Sequence, residues 1–410
     1  MTIYTQRTLL SIIEKLSGSF PVLLVSGPRQ VGKTTLLQHT QREKRHYVTL
    51  DDPIKKAMAK EDPAAFLQNH PAPVMIDEIQ YAPELFPYIK MAVDKARTPG
   101  MFWLTSSQQF HLMKNVSESL AGRIAILNLL GLSLAEERGF AENALPFLPT
   151  QDSLTLRAKT AATLLLPAIY HKIWRGSFPF VVPHDDTITW ETFYSSYVQT
   201  YLQRDVRDFT RVGDEQLFLR FLQTSAARTS QLINYTDMAR DIGISEPTVK
   251  SWLSILEASG LIYMLAPYHS NQTKRLLKAP KLYFLDTGLC SYLTGWHNPE
   301  VLEKGAMNGA IFETFITSEL IKTYWHNGRS APFFFYRDRD KREIDLVIVE
   351  NGTLYPVEIK KTATPDKDMV KHFTALDRLK MPVGQGAIIC AREIYGPITR
   401  DIFSVPVGYI

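Results

Sequence analysis

At 410 residues the chain is too long for one core, and two to four domains are expected. Hydrophobic residues at 45% and charged residues at 21% are ordinary for globular protein, and a formal charge of +4 tolerates a polyanion partner without requiring one. Any nucleic-acid binding must therefore come from local patches. Cys290 and Cys390 lie far apart and fit no metal-type spacing, which suits a reducing cytoplasm. Met1 to Leu16 lacks a signal-peptide core, since its apolar residues recur at helical spacing, and no apolar run approaches a membrane span.

Val22–Ser26 reads as a buried parallel strand and Thr35-Leu36-Leu37 as the opening of a helix. Between them Gly27-Pro28-Arg29-Gln30-Val31-Gly32-Lys33-Thr34 matches the Walker A pattern in its strand-to-helix context. Glycines let backbone N–H groups turn toward phosphate, and the helix N-terminus adds partial positive charge. Gly27 through Thr35 are thus the expected ATP-binding residues, with Lys33 on the β- and γ-phosphates and the Thr34 hydroxyl on Mg²⁺. Val74–Glu78 is a buried strand ending in two acids, the Walker B arrangement: Asp77 for Mg²⁺, Glu78 to polarise the attacking water. Met101–Thr105 is a third strand, after which Thr105, Ser107 and Gln108 are candidate γ-phosphate sensors or a solvated loop. Arg123, before the strand Ile124–Leu127, is either a trans-acting finger or a loop cap.

Residues 149–225 carry helical pattern, as in Leu154 through Ala168 and Thr192 through Val206, and are expected to form a helical lid. The alternating charges around Arg204 and Arg207 suit a solvated helix face, with phosphate contact the sharper alternative. Tyr235–Asp241, a turn at Gly243, and a helix from Glu246 to Ala258 capped by Ser245 give a helix-turn-helix signal. A strand from Gly260 and a loop at Asn271-Gln272-Thr273 follow, as in a winged helix. Its DNA-contact candidates are Lys250 on the recognition helix and Lys274, Arg275, Lys278 and Lys281 on the wing; a purely architectural module is the alternative.

Near the C-terminus, Glu343–Val349 and Leu354–Lys360 flank Asn351-Gly352, a strong hairpin signal. That loop puts Asp345 opposite Glu358 and Glu343 opposite Lys360. Like charges facing each other roughly 5 Å apart are destabilising, and a cation between them is the usual remedy. An Asp followed by Glu-x-Lys on the next strand is the metal-site pattern of PD-(D/E)XK nucleases. A helix over Gly309–Tyr324 carrying Glu313, a strand Phe333–Tyr336, a helix from Asp366 to Leu379 and a strand Gly386–Cys390 complete a restriction-endonuclease-like α/β core. Mg²⁺ would take Asp345, Glu358 and a third acid, Glu313, while Lys360 orients or deprotonates water. The plain alternative is a surface hairpin whose charges neutralise in pairs.

The chain resembles one prokaryotic family that pairs an AAA-type ATPase domain with a C-terminal domain of unknown function containing a PD-(D/E)XK nuclease-like fold. The resemblance rests on Gly27–Thr34, Leu50-Asp51-Asp52-Pro53, Ile76–Gln80, Ser119–Arg123, Arg175–Pro179, Tyr201–Val206 and Tyr283–Leu289. Ser106 departs from it, standing where many relatives have Gly. The resulting expectation is an α/β chain in four parts: a P-loop ATPase domain (1–148), a helical lid (149–225), a winged helix and connector (226–305) and a nuclease-like domain (306–410). Its expected function is ATP-driven binding or remodelling of DNA coupled to Mg²⁺-dependent cleavage, in a cytoplasmic homo-oligomer such as a ring. The alternatives are an ATP-switched DNA-binding scaffold with an inactive nuclease-like domain, or an ATPase acting on a protein partner.

Overall fold

A strand covered on both faces needs apolar residues at every position, and three N-terminal segments meet that demand. In the computed structural model β1 (Val22–Ser26), β3 (Val74–Asp77) and β4 (Phe102–Ser106) are buried residue by residue. β2 (His46–Thr49) and β5 (Ile124–Asn128) are only partly buried and form the edges. The order is β2-β3-β4-β1-β5, with every pair parallel. The structure describes residues 4–40, 45–107, 119–201, 215–269 and 279–410.

Around this sheet lie α1 (Leu9–Ser17), α2 (Lys33–Thr40), α3 (Pro53–Glu61), α4 (Pro63–Asn69) and α5 (Leu85–Ala96). Phe66, Phe86 and Ile89 pack in one core with Val22, Leu24, Ile76 and Leu104 of the strands. Asp52 and Asp62 each precede a proline and cap the helix that follows, Asp52 accepting from Ile54 N and Lys55 N, Asp62 from Ala65 N. The Leu50–Pro53 landmark is therefore a helix start.

This first compact unit holds Met1–Ala144 together with two distant pieces, Ala258–Gly260 and Tyr324–Arg329. The second piece enters through charge. Glu136, fully buried in the short helix Leu134–Glu137, pairs with Arg7 Nε at 3.1 Å and with His326 Nδ1 at 3.2 Å. Thr8 N and Ser133 N donate to the same carboxylate. Burial disfavours its charge, but Arg7 and His326 outweigh that and hold Glu136 far below the usual carboxylate range. Arg7 in turn donates to the carbonyls of Val31, Leu130 and Gly131.

The second unit comprises Leu145–Glu257, Leu261–Thr323 and Ser330–Ile410. It begins with α6 (Gln151–Arg157), α7 (Leu166–Arg175), α8 (Thr187–Tyr201) and α9 (Glu215–Ala227). The helical pattern from Leu154 to Ala168 falls in two helices: one stops at Arg157 and the next starts at Leu166. Pro167 suits that second start, since proline fits the first turn of a helix but not its interior. Of the expected Thr192–Val206 helix, 202–206 lie outside the described residues, as do Arg204 and Arg207. Next come α10 (Tyr235–Ile242) and α11 (Glu246–Ala258), separated by Gly243 at φ +87°, then β6 (Ile262–Leu265) antiparallel to β7 (Lys281–Phe284). Val249, Trp252, Leu253 and Leu256 form the buried stripe of α11, and Ser245 Oγ accepts from Thr248 N at its start.

After α12 (Thr287–Leu293), α13 (Pro299–Lys304) and α14 (Asn308–Trp325) comes a mixed sheet of β8 (Phe333–Arg337), β9 (Glu343–Glu350), β10 (Thr353–Lys360), β11 (Gly386–Cys390), β12 (Gly396–Pro397) and β13 (Ile402–Pro406). Its order is β12-β13-β11-β10-β9-β8, with β10-β11 and β11-β13 parallel and the other pairs antiparallel. Asn351 and Gly352 sit at φ +49° and +76°, as a two-residue I′ turn requires. Lys367–Leu379, expected as a helix, forms 3₁₀ turns capped by Asp366. Val370, Phe373 and Leu376 recur every third residue, which lines them along one face of such a helix and into the core with Ile344, Val347 and Ile388.

Glu136→Ala would leave Arg7 buried beside no carboxylate, and breaking such a pair costs about 3–5 kcal/mol. Urea denaturation of the full chain should show that loss; a change under about 1 kcal/mol would mean the pair is not what holds Tyr324–Arg329 in the unit.

Candidate functional site

The strand order of the first unit reverses at β1, whose neighbours are β4 on one side and β5 on the other. Ligands of open parallel sheets bind beyond the carboxyl ends of the strands at such a point, and there the chain places Gly27–Thr34. Gly27 is obligatory: a Cβ would lie 1.9 Å from Leu129 O. Gln30 at φ +61° and Gly32 at φ +90° turn the loop, and α2 opens at Lys33. The Lys33 ammonium is buried and folded back, donating to Gly27 O at 2.9 Å and Pro28 O at 2.7 Å. Thr35, also expected at the nucleotide, is exposed.

Across from the loop, Thr34 Oγ1 donates to Asp77 Oδ1 at 2.7 Å, so the hydroxyl and carboxylate expected to share Mg²⁺ already touch. Thr105 Oγ1 donates to the same oxygen and receives Glu78 N, while Tyr47 OH reaches Asp77 Oδ2 at 3.2 Å. Glu78 stands at φ +57°, a left-handed conformation that ordinary residues adopt at a cost, often at functional sites. Ser107 Oγ donates to its carboxylate at 2.9 Å, and Gln80 Nε2 bonds both Glu78 and Ser107. Burial works against the charge on Glu78, but Lys33, the Gln80 and Ser107 bonds and Arg29 prevail and lower its pKa. Of the sensor candidates, Thr105 touches the Walker B Asp and Ser107 the Walker B Glu; Gln108 lies outside the described residues. Arg123 pairs with Asp94 at 2.6 Å and donates to Ala121 O. Sequence reading missed Tyr47 and Gln80, although Gln80 closes the Ile76–Gln80 landmark.

The second cluster lies within the second unit. β9 pairs with β10 in the expected register from Thr353↔Glu350 through Val357↔Leu346. One position further the ladder gives way. Ile359 N donates to Asp345 Oδ2 at 2.9 Å, so a side chain replaces a backbone partner. Lys360 Nζ stands 3.2 Å from Asp345 Oδ2 and 2.7 Å from Glu358 Oε1. Glu343 does not meet Lys360; it meets Lys281 at 2.6 Å and Arg337 at 3.6 Å.

Glu313 of α14 joins from the side. Tyr283 OH donates to Glu313 Oε1 at 2.6 Å, and Lys281 Nζ reaches the same oxygen at 3.3 Å. Burial, then the charge of Asp345, push Glu313 up to about 7 against Lys281 and Tyr283. The same two causes push Glu358 up to about 8 against Lys360. Glu358 Oε2 is buried and has no hydrogen-bond partner among the described residues. An orphaned carboxylate oxygen beside mutually repelling acids fits a divalent cation, which needs few protein ligands when waters complete its shell. Among the described residues no three His, Cys, Asp or Glu side chains form a ready-made cage, and the Lys360 ammonium bridges two of the acids.

Lys281 corrects the expectation of a DNA-facing wing residue: it is 4% exposed and faces carboxylates. Its signal was the alternation in Lys281-Leu282-Tyr283, which puts lysine and tyrosine on one face of β7. Lys274, Arg275 and Lys278 lie outside the described residues. Lys250 is exposed but pairs with Glu246 at 2.7 Å and lies over the Tyr235 ring. Two further landmarks meet in a structural pin. Asp286 Oδ2 accepts from Ser177 N and Oγ, and its Oδ1 from Tyr194 OH and Leu289 N.

The family described as AAA domain matches residues 19–137, and two domains of unknown function, DUF8612 and DUF4143, match 167–300 and 308–409. The uncharacterized protein Rv2008c of Mycobacterium tuberculosis is 27% identical over 395 residues, covering 95% of this chain and 81% of the relative. Among solved structures, the Walker-type ATPase PABY2304 of Pyrococcus abyssi aligns with TM-score 0.43 and 16% identity over 71% of this chain and 96% of that one. AMPPCP-bound DnaA from Aquifex aeolicus aligns with TM-score 0.29 and 14% identity over 61% and 85%. The N-terminal sheet and loop are thus an AAA-type P-loop ATPase-like domain. Among the described residues no helix is long and apolar enough to cross a membrane.

Raised carboxylates make stability depend on pH. Between the ordinary carboxylate range and about 8 the folded chain keeps protons on Glu313 and Glu358 that the unfolded chain releases, so stability falls as pH rises. In chelator-treated protein, a Glu313→Gln/Glu358→Gln variant should gain on the wild type in urea midpoint from about pH 5 to about pH 8. A difference that does not change with pH would contradict the charge crowding.

Proposed function

We propose that the chain is an ATP-hydrolysing AAA-type ATPase that binds or remodels DNA and presents it to a Mg²⁺-dependent phosphodiesterase site in its C-terminal segment. One observation carries the cleavage half: Lys360 bridges Asp345 of β9 and Glu358 of β10, Glu313 of α14 feels the charge of Asp345, and among the described residues the buried Glu358 Oε2 has no hydrogen-bond partner. The winged-helix reading of α10, α11, β6 and β7, and the restriction-endonuclease-like reading of the C-terminal sheet, belong to this proposal.

In the ATPase half, Lys33 exchanges the carbonyls of Gly27 and Pro28 for the β- and γ-phosphates. Thr34 and Asp77 offer oxygens to Mg²⁺. Glu78, held charged by Ser107 and Gln80, accepts hydrogen-bonding from the attacking water. Arg123 serves a neighbouring subunit's nucleotide in a homo-oligomer after exchanging Asp94. Lys250 with Lys274, Arg275 and Lys278 meets DNA phosphates.

At the second site a bound Mg²⁺ would polarise the phosphate and lower the pKa of water. Asp345 is fixed by Ile359 N and so presents its other oxygen in a constant direction. Lys360, released from bridging Asp345 and Glu358, orients the water. The same bridge supports a second reading, an ATP-switched DNA-binding scaffold whose nuclease-like domain does not cut, because Lys360 already neutralises the pair.

An ATPase and cleavage assay on duplex, single-stranded and branched DNA tests both readings. Glu78→Gln should lower ATP turnover about 10²–10⁴-fold, and Lys33→Ala should abolish it. Asp345→Ala and Lys360→Ala should abolish cutting and leave ATP turnover unchanged. Survival of every DNA with Mg²⁺ or Mn²⁺ and ATP would exclude cleavage and favour the scaffold; DNA-insensitive ATP turnover would remove DNA altogether.

A further inference from the structure

Lys281 comes to the acidic cluster from β7, a strand of the two-stranded sheet rather than of the sheet that carries Asp345 and Glu358. We propose that Lys281 is the specificity-determining residue of this site, a built-in cation on Glu313 and Glu343 that limits it to one divalent cation instead of two. The inference rests on the metal reading above.

Charge supports it first. Four carboxylates (Glu313, Glu343, Asp345 and Glu358) face three cations, Lys281, Lys360 and Arg337, along the contacts described. Even fully ionised the cluster carries one net negative charge, so one divalent ion already turns it positive and a second would add two more positive charges. Occupancy supports it second. Glu313 Oε1 already receives Lys281 and Tyr283, and Glu343 Oε1 receives Lys281 at 2.6 Å. Among the described residues, the buried oxygen of this cluster without a hydrogen-bond partner is Glu358 Oε2, beside Lys360 and Asp345.

Placement supports it third. Paired metals stand roughly 3.5–4 Å apart and share carboxylates. The lysine is buried, opposite Leu265 and near the Phe335 ring, so its ammonium has little room to withdraw. A second ion that shared Glu313 would have to displace this ammonium. Lys360, with its side chain 40% exposed, can by contrast swing away and make room for the one ion. Tyr283 assists as a positioning residue by fixing Glu313.

Mn²⁺ titration of the nucleotide-free full chain, followed by calorimetry and by the spin signal of free Mn²⁺, gives the count. An Asp345→Ala/Glu358→Ala variant serves as the blank for ions held elsewhere, the P-loop included. The expected difference is one ion per chain in the wild type, one in Lys281→Arg and two in Lys281→Met. Two ions in the wild type, or one in a folded Lys281→Met, overturn the inference. If Lys281→Met does not fold, the wild-type and Lys281→Arg counts decide. No ion in the wild type overturns the metal reading and the inference with it, whereas two overturn the inference alone.

Discussion

Asp345 sits where a β ladder ends and a charge problem begins. Its Oδ2 takes the N–H of Ile359, so the side chain does the work that the next ladder bond would have done. Fixing a carboxylate in this way also fixes its field, and burial first, then this field, push both Glu313 and Glu358 up. Uncompensated, buried like charges would favour loosening of the strands. The fold meets this with two lysines from opposite directions, one on the same strand as Glu358 and one on β7. The reading of this cluster follows from the crowding: acids held together, a buried Glu358 oxygen without a partner among the described residues, and a Lys360 side chain that is 40% exposed while Lys281 is buried.

The ATPase-like unit solves a different problem with the same economy. In its loop Lys33 satisfies two loop carbonyls and Thr34 satisfies Asp77. Each of these bonds joins groups that a nucleotide and its metal would separate. Behind the loop, Arg7 ties Val31 O to Glu136, and Glu136 to His326 from far along the chain. The loop backbone is thus anchored to a buried ion network.

Much of this was legible in the sequence because the signals were local. Asn351-Gly352 announced both positive φ angles, and the turn then set the register down to Leu346. The Walker motifs sit at the ends of strands whose apolar runs mark burial. What escaped reading depended on distant neighbours. Lys281 looked like one more basic wing residue, and nothing near it in sequence says that it is buried against Glu313 and Glu343. The register also stopped one pair short of the expected Asp345–Glu358 pairing, because a side chain outcompeted the ladder for Ile359 N. The helix start beside Pro167 was readable, because proline belongs in a first turn rather than in an interior. The Arg175–Pro179 and Tyr283–Leu289 landmarks marked a structural bond between Ser177 and Asp286, which no local pattern distinguishes from a site.

The central proposal is that the carboxylates bridged by Lys360 hold a divalent cation. Anomalous diffraction from crystals of the full chain soaked in Mn²⁺ tests it most directly. The account predicts a peak within bonding distance of Glu358 Oε2 and Asp345, with the Lys360 ammonium withdrawn from between them. An empty map with Lys360 still bridging both acids would contradict it.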